Sequence, residues 1–572
     1  MKIIVRVLII LVASSCSTGK PKSTENYLQF VLRSDPASFD PLHSANFANA
    51  VLQRQILECL FEYDYATDDA KTIPLLAKQF TVSEDRLQYD IFLRDDAQFF
   101  DNFSPALFPD QVRSVNAHDV LYCWLRQADA RNNSDGYWAL KDTFAGVKEF
   151  HLSTAGTADA AEIAFNNAIL SGIEGIKVVD DYHLRLRLQQ PDPWLQNRLA
   201  MSYFAVYPRE AVETTARNMQ DQPVGSGVFY LDEFTPGQNV TLTRTPKWRE
   251  KNVGAPAGVS FQVIRDLQTT IELFKQKQND RITISFASAD HFLNNEGELK
   301  KDFINQGIGL SHSPRPDITM LCFNMTDSSI GNIKGDTAGN LRRKELRHAL
   351  ALAFPRDQWI DLMHQGLPSL LAKSFIPPST SADHLTFPWH DDLDLARQIL
   401  TAAGYYSDFE LPQLEFVLFN TDPLSIALGE IYATSLKRLG IECKVTPTPY
   451  AQLLEQAVRG EAQLFVRNWA LDWPDSSLIY STFDGDLVDT NINLSHFSNE
   501  KFDELLGQLR LCTDQSQRIL IEQQLDAILY EECPAVPLEH NLSLILSSSR
   551  ISNFKIRRFD HLPCKSYLLT ND

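Results

Sequence analysis

Hydrophobic and polar residues follow one another along this chain with two periods, one typical of strands and the other of helices. Alternating apolar and polar residues predict a half-buried strand, because successive side chains of a strand point to opposite faces. The strands predicted in the first half are Leu28–Leu32, Leu87–Leu93 and Tyr182–Leu188. Apolar residues at helical spacing predict helices over Val51–Tyr63 and Ala117–Ala128, and Asn116 is a favourable N-cap for the second.

The rest of the chain is patterned as a meander followed by α/β units. Gly225–Tyr230 and then Val240–Leu242 predict a meander of the hairpin type. The helices predicted after it are Leu346–Phe354, Leu393–Ala403, Pro423–Leu439, Phe502–Leu511 and Gln515–Tyr530, and the strands are Leu414–Phe419 and Ile441–Val445. Gly404 and Gly440 are placed to end two of these helices. We therefore expect an α/β or α+β protein of several layers.

The N-terminus has the pattern of a signal peptide. Lys2 and Arg6 flank a short apolar run, which ends on the small residues that precede Cys16. The run is too short to span a bilayer. Ala-Ser-Ser-Cys resembles the bacterial lipobox, although Ala13 stands where Leu is commonest. We expect a signal peptide over residues 1–15, lipidation of Cys16 and a flexible tether over 16–25. The alternative is ordinary secretion of an unanchored protein.

Length and charge limit the classes of function. The 572 residues exceed one compact core, so two or more lobes are expected. The formal net charge is −20, which argues against a nucleic-acid partner because phosphate contact needs a basic surface.

The cysteines do not form a metal-binding or redox motif. Seven follow Cys16, namely Cys59, Cys123, Cys322, Cys443, Cys512, Cys533 and Cys564, and no two are spaced as CxxC. A zinc ribbon or thioredoxin-like centre is therefore not expected. Buried thiols are favoured for Cys59 and Cys123, and disulfide pairing among the others is left open.

Seven short segments form an ordered set of motifs that covers nearly the whole mature chain. They are Phe39–Pro41, Ser114–Val120, Gly225–Tyr230, Arg244–Trp248, Glu345–Arg356, Leu395–Tyr405 and Asn468–Asp475. In this order they resemble the peptide- and nickel-binding family of ABC-transporter solute-binding proteins, which includes the oligopeptide- and dipeptide-binding proteins.

The resemblance implies a two-lobed fold of the periplasmic-binding-protein type II class with a hinged cleft. Lobe I is expected to comprise residues 26–58, 206–316 and 539–572, with an accessory subdomain over 59–205 inserted in it. Lobe II is expected over 317–538, with crossings between the lobes near Ile318 and Pro537. Ligand would be enclosed as the lobes close.

The family also implies candidate binding residues. Asp472 of the Trp-x-x-Asp motif would pair with a peptide ammonium, since one carboxylate in a dry cleft can read that group whatever the peptide sequence. The alternative is an Asp that only shapes a turn. Trp469, Ala470 and Trp473 belong to the same segment, and the two Trp rings are expected as cleft walls or as core packing. Tyr450 and Phe47 correspond by spacing to positions that line the ligand.

The basic residues that would meet a ligand carboxylate are not in the family's register. Counting without gaps places Ala457 and Val466 at those positions, with Arg459 and Arg467 nearby. This departure leaves open which residue reads the carboxylate, and it favours a different contact or peptide length.

Enzyme-like segments have simpler explanations. Gly225-Ser226-Gly227 lacks the spacing of a nucleophile elbow, and Asp391 or Asp392 is better placed to cap a helix than to bind metal with His390. No Walker lysine motif, HExxH or GxGxxG occurs, so ATP would be hydrolysed by a partner chain, and no enzyme activity, cofactor or metal is expected.

The expected function is capture of oligopeptides or dipeptides outside the cytoplasm, in the periplasm or at the cell surface. The partners would be the permease and ATPase subunits of an ABC importer, and the receptor itself is expected to be a monomer. Two alternatives remain open: the same fold binding a nickel chelate, haem or another non-peptide solute, and a surface lipoprotein used in adhesion or signalling.

Overall fold

The computed structural model describes most of the chain after its N-terminal segment. The described residues are 26–67, 70–214, 218–246, 248–249, 256–294, 296–364, 367–378, 387, 390–488, 490–557, 559 and 562–570. The expected signal peptide, Cys16 and the tether lie outside them. Among the described residues, no helix combines the length and apolar character needed to cross a bilayer.

The chain is a mixture of strands and helices throughout. The strands are β1 Tyr27–Leu32, β2 Phe61–Tyr63, β3 Thr72–Pro74, β4 Ala77–Val82, β5 Gln88–Leu93, β6 Gln98–Phe100, β7 Val112–Ser114, β8 Ile176–Asp180, β9 His183–Arg187, β10 Phe229–Thr235, β11 Asn239–Arg244, β12 Gly258–Val263, β13 Arg281–Ile284, β14 Gly309–Pro314, β15 Asp317–Phe323, β16 Leu370–Leu371, β17 Leu414–Leu418, β18 Cys443–Pro447, β19 Leu464–Ala470, β20 Ala535–His540 and β21 Leu542–Ser547. The α-helices are α1 Phe47–Ile56, α2 Ala117–Ala128, α3 Tyr137–Lys141, α4 Val147–Thr154, α5 Ala158–Ser171, α6 Leu195–Arg198, α7 Glu210–Glu213, α8 Leu267–Lys275, α9 Phe286–Phe292, α10 Lys301–Asn305, α11 Thr337–Leu352, α12 Arg356–His364, α13 Leu393–Ala402, α14 Pro423–Arg438, α15 Tyr450–Val458, α16 Ser477–Tyr480, α17 Glu500–Leu511 and α18 Gln515–Glu532.

Three sheets organise the fold around the candidate site. One has the order β1-β12-β11-β10, the second β13-β21-β14, and the third β16-β20-β15-β19-β17-β18. In the third sheet β17 runs parallel to both β18 and β19, so the carboxyl ends of these strands lie at one edge. A further four-stranded sheet, β4-β5-β9-β8, belongs to the expected accessory region.

The chain passes twice between the second and third sheets, and the two crossings are adjacent. Residues 315–316 join β14 to β15, and Asn541 joins β20 to β21. The backbone N–H of Arg315 donates to the carbonyl of Asn541 (2.8 Å). The Asn541 amide also donates to Asp317 Oδ1 (3.0 Å). Ile318 and Pro537, near which the crossings were expected, lie inside the third sheet.

Local signals explain the elements that the sequence predicts correctly. Asn116 and Asp119 form a capping box at the start of α2, each side chain accepting from the other residue's backbone N–H. Gly404 (φ +86°) and Gly440 (φ +84°) follow α13 and α14 in the left-handed conformation that ends helices.

The Gly225-Ser226-Gly227 turn has a packing role. A Cβ atom at Gly225 would lie 2.1 Å from the carbonyl oxygen of Ile56, and one at Gly227 would lie 2.5 Å from the same atom. The turn therefore approaches the end of α1 more closely than any other residue type allows. Of the two predicted caps, Asp392 is the one at the start of α13, where its side chain accepts from the Leu395 N–H (2.8 Å), whereas Asp391 accepts from the Arg356 N–H (3.0 Å).

Several predicted elements have other bounds in the structure. The helix expected over Val51–Tyr63 is α1, which ends at Ile56, and Phe61–Tyr63 is a strand paired with β3. The helix expected from Leu346 starts at Thr337, after an Asp336 cap. The strand expected from Ile441 is β18, which begins at Cys443. Cys59 and Cys123 are buried free thiols, as predicted.

Candidate functional site

The Trp-x-x-Asp segment leaves the third sheet at the end of β19. Ala470 is the last residue of the strand and pairs with Asp317 of β15. The Leu471 N–H then donates to the carbonyl of Pro316 (2.8 Å), which fixes the segment beside one of the crossings. The strand therefore ends with Trp469 and Ala470, and Asp472 and Trp473 follow shortly after it.

Asp472 combines exposure to solvent with desolvation by the protein around it. The residue is exposed to solvent, yet desolvation by the surrounding protein raises the pKa of its carboxyl, and nearby Arg198 opposes that shift. Exposure together with desolvation means that water reaches the carboxylate while protein surrounds most of it. Burial is the main cause of the raised pKa values of Tyr203 and Tyr63. The charge of Asp472 is a further cause in both, second in rank for Tyr203 and lower in rank for Tyr63.

Trp473 turns away from Asp472 into the core of the N-terminal half. Its ring is 3% exposed and stacks on Trp138, with centroids 6.3 Å apart and planes 10° from parallel. The Arg198 guanidinium lies over the ring at 4.5 Å. Trp473 thus holds the Asp472 segment against α3 and α6, and Arg198 lies near both Asp472 and Trp473.

Asp475, the second acid of the motif, is part of a buried ion pair. Its Oδ1 lies 2.5 Å from Arg518 Nη2, and both side chains are almost fully buried. The Ser477 hydroxyl donates to Asp475 Oδ2 (2.5 Å). The two acids of one motif therefore have different surroundings: Asp472 faces solvent, whereas Asp475 is satisfied inside the protein.

Trp469 and Arg467 lie on the same face of β19. The Trp469 indole N–H donates to the Leu478 carbonyl (3.1 Å), and the Arg467 guanidinium lies 4.8 Å from the ring. Arg467 is 6% exposed and donates to the Ile492 carbonyl (2.7 Å). Desolvation lowers the pKa of Arg467. Within the described chain no carboxylate pairs with it.

A cavity of about 320 Å³ opens at the carboxyl edge of the third sheet. It is lined by Arg315, Asp317, Thr319, Trp359, Met363, Phe419, Tyr450, Val466, Arg467, Asn468, Glu539 and Asn541. Tyr450 is half exposed at its rim, and the indole N–H of buried Trp359 has no acceptor among the described residues. Two buried acids also line the cavity: Asp317 pairs with Arg315 (3.1 Å) and Glu539 with His364 (2.5 Å).

The other sequence candidates lie elsewhere. Arg459 is exposed and pairs with Glu461 (2.9 Å), so its charge is already matched. Ala457 is buried, and its carbonyl contacts His496 (2.7 Å). Phe47 begins α1 and is 72% exposed at a different cavity of about 200 Å³. The structure thus groups Tyr450 with Arg467, and Asp472 with Trp473, but it places Phe47 apart.

Several residues around the site were missed by sequence reasoning. Trp138 comes from α3, Arg198 ends α6 and Tyr203 follows it, and Trp359 comes from α12. None of them stands in a motif that marks it as a ligand contact, and each reaches the site only through tertiary packing. The one available signal was the density of aromatic residues in 137–207.

Comparison with known proteins agrees with this architecture. A family model described as "Bacterial extracellular solute-binding proteins, family 5 Middle" matches residues 71–490. Heme-binding protein A of Haemophilus influenzae is 22% identical over 95% of this chain and 92% of its own length. Di/tripeptide-binding protein 1 of Pseudomonas aeruginosa is also 22% identical, over 96% of this chain and 95% of its own.

Solved structures show the same fold. The periplasmic murein tripeptide-binding protein MppA, in its unliganded open form, superposes with a TM-score of 0.75 at 18% identity, covering 95% of this chain and 97% of that one. The family match spans well over half of the chain, and the fold agrees along nearly all of it. This chain belongs to the bacterial extracellular solute-binding proteins of family 5.

Proposed function

We propose that this protein captures short peptides outside the cytoplasm and delivers them to an ABC importer. The observation that carries the proposal is Asp472, a carboxylate that is open to solvent and yet desolvated by the protein around it. Such a group gains most from a cationic partner that displaces water, and a peptide ammonium is one. The di/tripeptide-binding and murein tripeptide-binding relatives support a peptide over other solutes.

The surroundings of Asp472 suit an ammonium. Tyr203 and Tyr63 lie close enough for the Asp472 charge to act on their hydroxyls. Aromatic faces attract cations, so a bound ammonium would gain from the half-buried Tyr203 ring as well as from the carboxylate, whereas the Tyr63 ring is 4% exposed and stacks on Phe559. Arg198 partly compensates Asp472 while no ligand is bound, and this role explains why the charge is tolerated there.

Arg467 is our candidate for the residue that reads the ligand carboxylate. It lines the Tyr450 cavity and has no carboxylate partner within the described chain, whereas Arg459 is exposed and paired with Glu461. Asp472 is five positions after Arg467 in the sequence, so their Cα atoms are at most about 17 Å apart. An extended peptide spans roughly 3.3 Å per residue, and the two side chains shorten the gap further. The spacing therefore favours peptides of about two to four residues.

We propose further that capture is accompanied by closure about the paired crossings. Lobe I would comprise residues 26–58, 206–316 and 539–572, the accessory subdomain 59–205, and lobe II 317–538. The hydrogen bonds between Arg315 and Asn541 and between Asn541 and Asp317 support a hinge in which both crossings move together.

Export and anchoring complete the proposal. The N-terminal pattern supports cleavage before Cys16, lipidation of that residue and attachment to a bacterial membrane. We expect a monomer without enzyme activity or cofactor, since solute capture needs neither.

Native mass spectrometry of protein purified without refolding tests the function. Bound species of about two to four amino-acid residues would support it. Haem is the competing ligand, because one relative is a heme-binding protein. Retention of haem, or failure to bind any member of a di- to tetrapeptide pool, would contradict peptide capture.

A further inference from the structure

The cavity beside Phe47 lies in the N-terminal half, apart from Asp472 and from the Tyr450 cavity. Its volume is about 200 Å³. Apolar walls come from Phe30 and Leu32 of β1, Phe261 of β12, Leu267 of α8 and Ile282 of β13. No residue lines both this cavity and the one beside Tyr450. A cavity of this size accommodates one ring with a short chain.

Phe47 lies at the mouth of this cavity. Its ring is 72% exposed, although Asn46 fixes the first turn of α1 by accepting from the backbone N–H groups of Ala48 and Asn49. A large apolar ring held in water by a rigid helix start gains from contact with an apolar ligand.

The wall contains the buried side chain of Asn279. Asn279 is 0% exposed, and its Oδ1 accepts from the backbone N–H of Arg281 (3.3 Å). Its amide nitrogen has no acceptor among the described residues. A buried donor without an acceptor is costly, so a ligand oxygen that reached it would bind more tightly than an apolar group of the same shape.

The charged side chains in the described lining of the cavity have one sign, although Asp266 beside the lining interacts with Arg33. Arg33 and Arg281 are among its lining residues, and no Asp or Glu is found in the described lining. Together with the Asn279 amide, the polar groups are rich in donors and lack a carboxylate that would repel an anion.

We infer that this cavity binds a small apolar carboxylic acid, with the apolar body between the Phe and Leu side chains and a carboxylate oxygen at Asn279. The site is additional to the ammonium site proposed at Asp472. The acid can come from two sources, a free aromatic or aliphatic acid or the carboxyl-terminal residue of a peptide.

The test uses 3-phenylpropionate and its uncharged isostere 3-phenylpropionamide, titrated calorimetrically into the whole mature protein. The acid should bind at least tenfold more tightly than the amide. Asn279→Asp replaces the donor by a carboxylate of the same shape and should abolish this preference. Phe47→Ala changes an exposed position where the fold is not at risk. It should lower the affinities for the acid and for the amide alike by several fold.

Asp472→Asn is the matched control, and it should leave binding of the acid unchanged even where peptide binding is lost. This outcome separates failure of the second site from failure of the peptide proposal. A peptide ending in Phe that competes with the acid would identify the peptide terminus as the source, and simultaneous binding would identify a free acid. Equal affinity for acid and amide, or acid binding that survives both Asn279→Asp and Phe47→Ala, would overturn the inference.

Discussion

Asp475 and Asp472 stand three residues apart in one motif, and their surroundings predict opposite effects of the same substitution. Asp475→Asn keeps the shape of the side chain but leaves Arg518, 5% exposed, without its ion-pair partner at 2.5 Å. Removing one member of a buried pair costs about 3–5 kcal/mol, because the remaining charge stays desolvated. Burial raises the pKa of Glu522, and nearby Arg518 opposes that shift, so Glu522 still compensates part of the charge. We therefore expect Asp475→Asn to lower the free energy of unfolding by about 3 kcal/mol, the lower end of that range.

The assay is urea denaturation without ligand, on Asp475→Asn, Arg518→Met and the double variant. The double variant should lose less than the sum of the single losses, because the stranded charge is gone. Asp472→Asn is the matched control. Since desolvation raises the pKa of Asp472, neutralising it should leave the free energy of unfolding unchanged or slightly higher. A loss below about 1 kcal/mol in Asp475→Asn, or strictly additive losses, would refute the reasoning.

Three further predictions follow from single groups. Burial raises the pKa of Asp526 to about 8 from 3.8, so the folded state holds a proton that the unfolded state releases, and stability should fall with rising pH between about 4 and 8. Asp526→Asn should reduce this pH dependence by up to about 1.4 kcal/mol per pH unit. If the free energies of unfolding of wild type and variant changed in parallel with pH, the prediction would be contradicted. Arg467→Met should lower the affinity for peptides with a free carboxyl terminus at least tenfold and leave the affinity for amidated peptides unchanged. Arg459→Met should change neither affinity. The reverse result in calorimetry would move the carboxylate contact to Arg459. Wild-type protein should incorporate a palmitate analogue and Cys16→Ala should not, so equal labelling would exclude the anchor.

Elements with a complete local signal could be predicted from the sequence. The bounds of α2 follow from its apolar spacing and from the Asn116 cap, and both ends are as predicted. The ends of α13 and α14 follow from Gly404 and Gly440, because few other residues adopt a positive φ there. Such signals act within a few residues and need no knowledge of the tertiary structure.

Elements defined by distant partners could not be predicted. Phe61–Tyr63 has the apolar spacing of a continued α1, but it pairs with Thr72–Pro74 and becomes a strand. The first turns of α11 are polar, so the apolar pattern appears only from Leu346 although the helix starts at Thr337. In the first case tertiary pairing overrides the local preference, whereas in the second the start is marked by the Asp336 cap and not by the apolar pattern.

The candidate site divides in the same way. Asp472, Trp469 and Tyr450 could be named from motifs and spacing. Arg198, Tyr203 and Trp138 could not, because they reach Asp472 and Trp473 only when the accessory region packs against the segment after β19. The sequence also offered no means to choose between Arg459 and Arg467. The difference between an exposed, paired guanidinium and a buried one without a carboxylate exists only in the fold.

The central claim is that Asp472 pairs with a peptide ammonium, and calorimetry on a two-by-two set tests it most directly. Wild type and Asp472→Asn are each titrated with a short peptide and with its N-acetylated form. For the free peptide, the substitution should cost about 2–5 kcal/mol, or roughly thirty-fold to several thousand-fold in affinity, because it leaves the ammonium unpaired in the cleft. The acetylated peptide should bind the wild type poorly, and the variant should discriminate far less between the two forms. Equal affinity of the wild type for free and acetylated peptide would contradict the account.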